Sequence, residues 1–294
     1  MSPPQTSVLI TGCSNNSLGA SLALAFHARG LKVYATGRNP AKLTQCSLAG
    51  ITTLTLDVLS PTSITAAISQ LPSLDILVNN AGANLHMPIS DLSLPAAKEL
   101  FDLNVWSYLA MTQACLPLLL KSETGGMVVN QTSLAMITVL PFQGAYSASK
   151  AAISVFSETM RMELGVLGVR VVELRTGLVR SNLIEGENGK GRGDGLRLPS
   201  GSVYEGAKEV VERAMRQEEF RGKGMDRDVW AGKVVGDLLK KKKRTPKVVW
   251  RGESVWIAKV VGWLPVGWCD WLWARVTGLD VVEGVLGRDS KKDV

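Results

Sequence analysis

Val8-Leu-Ile-Thr-Gly-Cys-Ser-Asn-Asn-Ser-Leu-Gly19 is the stretch from which the fold class is read. An apolar run, Val8 to Ile10, enters a turn at Thr11-Gly12, and apolar spacing at Leu22, Ala25 and Phe26 then marks a helix. A strand, a glycine turn and a helix start make an anion site, because free N–H groups and the helix dipole favour negative charge. Ile10, Gly12, Ser14, Asn15, Leu18 and Gly19 are the candidate contacts for a phosphate-bearing ligand there. The dinucleotide fingerprint Gly-x-Gly-x-x-Gly is absent. The turn is one residue longer than a glycine-rich one, with Asn16 and Ser17 inside it. Asn tolerates positive φ; Ser17 does not, which counts against close pyrophosphate contact.

Outward from this stretch the same alternation repeats. Strands are predicted at 31–36, 51–56, 74–78, 127–130, 169–174 and 247–250, with helical patterns between them. Ser60-Pro61 gives one helix its N-cap and first position. Helices are also predicted at 204–221 and 228–243. Alternating strands and helices imply a parallel sheet covered on both faces through right-handed crossovers. The fold expectation is therefore α/β, a doubly wound Rossmann sheet of seven strands in the order 3-2-1-4-5-6-7. It spans residues 1–251 and is followed by a Trp-rich extension, 252–294.

Composition narrows the chemistry. The chain has 294 residues, 46% of them hydrophobic, enough for a sizeable core. Cys13, Cys46, Cys115 and Cys269 form no C-x-x-C pair and read as ordinary thiols in a reducing, cytoplasmic setting. Two histidines, His27 and His86, are too few for a His-ligated metal or a Ser-His-Asp triad, and both are expected to be structural; no metal is expected. The first residues lack a charged and apolar leader, so no secretory signal is read. The net charge of +7 lies mostly beyond residue 200, and nucleic-acid binding is not favoured.

The chemistry centres on Tyr146-Ser-Ala-Ser-Lys150. At i and i+4 on a helix, a phenol and an ammonium share one face. Moving a tyrosine from a pKa near 10 to about 7 takes roughly 4 kcal/mol, and a neighbouring cation acts in that direction. Tyr-x-x-x-Lys alone is a weak signal. It comes here with Ser133 after an apolar run, Asn104 in a helical stretch, and Asn79-Asn80-Ala81-Gly82 after another buried run. With Thr11-Gly12, this set resembles the short-chain dehydrogenase/reductase family over residues 7–251. By that resemblance Tyr146 is the general acid for a nascent alkoxide, and Ser133 polarises the substrate carbonyl. Lys150 holds the nicotinamide ribose and lowers the Tyr146 pKa, and Asn104 anchors a water relaying protons through Lys150.

The resemblance also places the cofactor. Asp57 and Val58 match adenine contacts, and Asn79, Asn80, Ala81 and Gly82 match the turn beside the adenine ribose. Thr176, Gly177, Val179 and Ser181 match the segment over the carboxamide; Thr176 replaces the common Pro and leaves that turn less rigid. An NAD site carries an acid at the end of the second strand, yet no Asp or Glu precedes Asp57. Arg38 stands there instead, with Lys42 nearby, so NADPH/NADP+ is the expected cofactor. Residues 182–202 are Gly-rich and are a candidate substrate lid or a plain connection.

Six of the eight tryptophans lie from Trp250 to Trp273, just after Lys240-Lys-Lys-Lys-Arg244. That is the composition of an interfacial membrane anchor; packing over the cleft or at a homo-oligomer contact is the alternative. It is not a spanning helix, since only ten uncharged residues separate Lys259 from Asp270, against about 20 needed. Together with Phe26-His-Ala-Arg-Gly30, Ala35-Thr-Gly-Arg-Asn-Pro40 and Thr176-Gly177, the tail resembles the fungal branch near NADPH-dependent 1-acyldihydroxyacetone-phosphate reductase. Some members of that branch sit on endoplasmic reticulum or lipid droplets, and others reduce ketones in secondary metabolism. The sequence thus implies an NADPH-dependent reductase of an apolar small-molecule ketone, whose partners include no nucleic acid. The alternatives are a 1-acyldihydroxyacetone-phosphate reductase and a poorly active NADP(H)-binding sensor or scaffold.

Overall fold

A computed structural model describes residues 5–181, 196–240 and 245–289. Seven parallel strands form one sheet in the order β3-β2-β1-β4-β5-β6-β7, as expected. They are β1 (Ser7–Ile10), β2 (Lys32–Gly37), β3 (Thr52–Thr55), β4 (Ile76–Asn79), β5 (Met127–Ser133), β6 (Arg170–Thr176) and β7 (Val248–Arg251). Successive residues of a strand face opposite sides. Val8 and Ile10 accordingly enter one core cluster while Leu9 enters the other, and Val129 and Val128 divide the same way.

Helices cover both faces. On one side lie α1 (Leu18–His27), α2 (Thr44–Leu48) and, much later in the chain, Arg227–Leu238, whose Trp230, Val234 and Leu238 pack with Ala20, Leu22 and Phe26. On the other lie α3 (Pro61–Ile68), α5 (Ser107–Leu120) and α6 (Gly144–Glu163), which contribute Ile64, Met111, Cys115, Leu119 and the half-buried Met160. Each fully buried aliphatic side chain in these layers stabilises the fold by about 1.5–3 kcal/mol. Helix α4 (Leu94–Phe101) runs into α5 through a π-helical segment, Asp102–Trp106. The run Leu94–Leu120 is long and apolar enough to cross a membrane by composition, but it packs against the sheet as a core element.

Two predicted helices are corrected. The stretch 204–221 is broken: α7 covers only Lys208–Met215, between short 3-10 turns at Glu205–Ala207 and Glu218–Phe220. Gln217 takes a left-handed φ of 54° and ends the helix. The next helix, α8, is Arg227–Leu238 rather than 228–243. Asp226 caps it by accepting from the Asp228 and Val229 amides, which fixes its start. Lysines 241–243 and Arg244 lie outside the described residues, as do 182–195 of the expected lid.

The C-terminal extension contains α9 (Val255–Val261), α10 (Asp270–Thr277) and α11 (Leu279–Asp289). Val282 of α11 joins Phe142, Leu198, Val211 and Met215 in a third cluster. The extension therefore shares a core with the loop that precedes α6.

Candidate active site

At the carboxyl end of the sheet, the turns after β1 and β4 touch. Thr11 Oγ1 accepts from the Asn80 and Ala81 amides at 2.9 and 3.0 Å, and Asn80 Nδ2 donates to the Thr11 carbonyl at 2.7 Å. Glycine is required by this approach. Gly12 has φ 75°, and a Cβ on it would lie 2.9 Å from Ala81 Cα. A Cβ on Gly19 would lie 2.4 Å from the Gly12 carbonyl oxygen and 2.6 Å from Asn80 Nδ2.

The atypical turn residues prove to have defined roles. Asn16 adopts the expected positive φ, 60°. Its side-chain oxygen accepts from Arg227 Nη2 at 2.9 Å, and its amide donates to Gln45 Oε1 at 3.0 Å. Ser17 corrects the expectation drawn from it. It is extended (φ −90°), accepts from the Ala20 amide at 3.1 Å as the N-cap of α1, and donates to the Gly12 carbonyl at 3.1 Å. The extra residue is thus absorbed by Asn16, and Ser17 starts the helix at no cost in strain.

Several proposed cofactor contacts have side chains engaged within the protein. Ile10 is fully buried in the core, and Leu18 packs against it. The Asn15 side chain binds Thr44 Oγ1 and the Gln45 amide at 2.7 and 2.9 Å, which ties it to the start of α2. Asn79 is buried and donates to Asn130, Thr112 and the Tyr108 carbonyl, away from the crevice. Ser14 is half-exposed in the turn, Arg38 is exposed just past β2, and Lys42 ends a short 3-10 turn beside it. Val58 is buried beside Asp57, whose Oδ1 accepts from the Leu59 amide. Because Gly12, Gly19 and Gly82 keep this rim clear of side chains, and α1 has no acid in its first turn, the residues fit a dinucleotide phosphate.

The four catalytic candidates converge. Ser133 ends β5, and its Oγ accepts from the Ala135 amide at 3.2 Å, so its own proton remains to be donated outward. Tyr146 and Lys150 lie on the buried face of α6. Asn104 is fully buried in the π segment, where its Oδ1 accepts from the Ala83 amide at 2.9 Å. Its Nδ2 donates to the Ala83 carbonyl and to Ser149 Oγ, both at 3.0 Å. A Cβ on Gly82 would meet both Asn104 Oδ1, at 3.1 Å, and Lys150 Nζ, at 3.6 Å.

Burial governs the electrostatics of the pair. Burial raises the Tyr146 pKa above its ordinary value, and a hydrogen bond with Ser133 opposes the rise. Lys150 is buried beside it on α6. Its ammonium is itself pushed down to about 8 by burial, donates to the Gln131 carbonyl at 3.0 Å and lies over the Tyr108 ring at 5.3 Å. The protein alone therefore keeps Tyr146 protonated, the form a general acid needs.

Thr176 faces Ser133 across the β5–β6 ladder, and its buried Oγ1 has no hydrogen-bond partner among the described residues. The following turn is stapled despite the missing Pro. Gly177 N donates to the Arg251 carbonyl at 2.8 Å, and Leu178 pairs with Glu253 in both directions. A Cβ on Gly252, at φ 116°, would lie 2.8 Å from Gly177 N, so close backbone packing supplies the rigidity that the sequence appeared to lack. Val179 and Ser181 are buried beyond it. A cavity of about 600 Å³ opens next to this turn, lined by Leu178, Arg180, Phe220, Lys223, Glu253 and Arg275 among others.

The short chain dehydrogenase family model matches residues 6–190. The chain belongs to the short-chain dehydrogenase/reductase family. Such enzymes are NAD(P)-dependent oxidoreductases acting on alcohol or ketone groups. A short-chain dehydrogenase/reductase of Pestalotiopsis microspora is 46% identical, covering 94% of this chain and 95% of its own. The NADPH-dependent 1-acyldihydroxyacetone phosphate reductase of Schizosaccharomyces pombe is 32% identical over 88% and 90%. Among solved structures, a short-chain dehydrogenase from Streptomyces avermitilis superposes with a TM-score of 0.71 at 25% identity, covering 96% of this chain and 98% of its own. One from Burkholderia cenocepacia in complex with NADP gives 0.66 at 23% over 92% and 97%, a likeness of fold.

Sequence reasoning missed part of the short-chain dehydrogenase site. Gln131 supplies the carbonyl shared by Lys150 and the Tyr108 hydroxyl, and Ser149 braces Asn104. Tyr108 follows Asn104 by four residues, a helical spacing that could have been read. Arg227 carried no such signal, because it lies 211 residues from Asn16.

Proposed function

We propose that the protein is an NADPH-dependent reductase of an apolar ketone, either a secondary-metabolite intermediate or a lipid. Peripheral attachment to an endoplasmic reticulum or lipid-droplet surface would place it on the cytoplasmic side. The observation that carries the reading is the meeting of Asn104, Ser133, Tyr146 and Lys150 beside a glycine-lined nucleotide crevice. Tyr146 belongs to a buried apolar cluster with Leu100 and Ala145, against which the partly buried Ala83, Leu85, Leu92 and Ala135 pack. An apolar substrate would suit the partly exposed members of that cluster.

Gly12, Gly19 and the α1 amides would hold the cofactor's phosphates, the Asn80 turn would border its adenine ribose, and Lys150 and Tyr146 would hold its nicotinamide ribose. Arg38, with no acid near it in the sequence, would favour the 2′-phosphate. When bound, the cofactor supplies hydride to the carbonyl carbon. Ser133 Oγ donates a hydrogen bond to the carbonyl oxygen and stabilises the charge that develops there. Tyr146 gives its phenolic proton to the same oxygen. Lys150, held by Gln131, stabilises the phenolate left behind and passes a proton toward it. Asn104 fixes the wall opposite Lys150 by clamping Ala83 from both sides.

NADPH consumption with a panel of ketones tests the reading. Tyr146→Phe is expected to retain NADPH binding and lose turnover by about 10²-fold or more. Turnover of that variant at the parent rate overturns the assignment, and binding without turnover of any ketone by the parent favours a sensor. Likeness to the S. pombe enzyme favours a ketone lipid phosphate as a second reading, tested by including 1-acyldihydroxyacetone phosphate in the panel.

A further inference from the structure

A lysine buried without a counter-ion needs another source of support, because taking an unpaired charge out of water is costly. Lys150 is such a lysine. It is 5% exposed, and no carboxylate among the described residues pairs with it. Its Nζ donates to the neutral Gln131 carbonyl at 3.0 Å. Titratable groups on the elements around it supply no negative charge. Tyr146 on the same helix stays protonated, Asp102 of the π segment is exposed, and Glu173 of β6 is committed to Arg175. Gly82 borders the ammonium on another side, where a Cβ would lie 3.6 Å from Nζ.

The remaining wall is aromatic. Lys150 Nζ lies over the Tyr108 ring, 5.3 Å from its centroid, within the range at which a ring face attracts a cation. That attraction grows as water is removed, and Tyr108 is itself only 1% exposed. The ring is held at both ends. Its hydroxyl donates to the same Gln131 carbonyl at 3.3 Å. Its backbone carbonyl accepts from Thr112 Oγ1 at 2.7 Å and from Asn79 Nδ2 at 3.4 Å. Burial, with Tyr146 nearby, holds the Tyr108 phenol well above its ordinary pKa, so it stays a neutral donor and exchanges no proton.

We propose that Tyr108 is a positioning residue of the reductase: its ring face keeps the Lys150 ammonium charged inside the site, and its hydroxyl fixes that ring on the Gln131 carbonyl. Resting on the reductase reading, this adds a side chain that acts only through Lys150. A ring suits the task better than a carboxylate. A carboxylate would occupy the ammonium's N–H groups and compete with the phenolate that forms on Tyr146. A ring face attracts the charge and leaves those N–H groups free.

NMR of lysine ε-carbons labelled with carbon-13 reads the ammonium directly, with no turnover needed, once the Lys150 signal is assigned by its loss in Lys150→Arg. In the parent it should titrate near 8. Tyr108→Phe keeps the ring face and should titrate within about 0.3 units of the parent. Replacing Tyr108 with 3,4,5-trifluorophenylalanine keeps the shape but drains the negative face, and should lower the value by about one unit. The alkaline limb of kcat/KM should follow, leaving the fluorinated enzyme roughly tenfold slower than Tyr108→Phe above about pH 9. Equal titration in Tyr108→Phe and the fluorinated protein overturns the proposal, since a ring that only fills space packs alike in both. A fall of about one unit already in Tyr108→Phe overturns it as well, by assigning the support to the hydroxyl. A parent that reduces no ketone, beside the expected titrations, sinks the reductase reading alone and leaves the ring's hold on the ammonium established.

Discussion

Acid should loosen the substrate side of the site through His86. This residue is buried; its Nδ1 lies 2.9 Å from the Met215 carbonyl at the end of α7, and its buried Nε2 has no partner among the described residues. The neighbouring Met87 amide donates to the Phe142 carbonyl at 2.8 Å, so the same loop is tied to the segment before Tyr146. A neutral ring donating from Nδ1 satisfies Met215; protonation would add a charge and a second, unpaired N–H in an apolar place. Burial accordingly pushes the His86 pKa from 6.5 down to about 4. Between those values the unfolded chain binds the proton and the folded chain refuses it, so stability is lost as pH falls from about 6.5 and the loss levels off near 4. At about pH 5 the gap of roughly 1.5 units corresponds to about 2 kcal/mol, at about 1.4 kcal/mol per unit. Urea unfolding of the parent and of His86→Gln near pH 7.5 and near pH 5 reads this as a difference of differences, in which the carboxylates common to both proteins cancel. The parent should lose about 2 kcal/mol more than the variant. NMR titration of the His86 ring gives the same information directly. Equal losses in the two proteins, or a His86 resonance that titrates near 6.5, would refute the reasoning.

Gly19→Ala should push the β1 turn away from Asn80, since its Cβ would lie 2.4 Å from the Gly12 carbonyl oxygen; NADPH affinity measured by tryptophan quenching should fall roughly ten- to a hundredfold, in line with about 1–3 kcal/mol of overpacking. Arg227→Ala removes the clamp on Asn16 and should raise the Kd for NADPH several-fold at unchanged kcat, whereas an equal loss in kcat would place Arg227 in the chemistry instead. Lys150, pushed down to about 8, loses its charge in the free enzyme above that pH, so kcat/KM for reduction should decline on the alkaline side with an apparent pKa near 8. Lys150→Arg should move that limb out of range in whatever activity survives, because a guanidinium stays charged.

What the sequence disclosed and what it withheld divide along the range of the interactions involved. The helix start at Ser60 and the shared face of Tyr146 and Lys150 follow from neighbours a few residues apart, strand order follows from the repeated strand–helix alternation, and all are present in the structure. The end of α7 was missed for a local reason too weak to read, since Gln217 in a left-handed conformation has no compositional mark. The remaining gaps are contacts across the chain. Asn16 and Ser17 looked like defects in a glycine turn because their partners, Arg227, Gln45 and the Gly12 carbonyl, are brought to them only by folding. Thr176 looked like a loosened turn because the Gly177–Gly252 approach depends on β7 lying beside β6. The surroundings of Tyr146 were hidden on the same ground: helical spacing places an ammonium on its face, but spacing does not reveal that both groups are desolvated and that Gln131 engages the ammonium. A motif therefore fixes which groups meet. The dielectric and the third partner decide what proton each one holds, and both are properties of the folded interior.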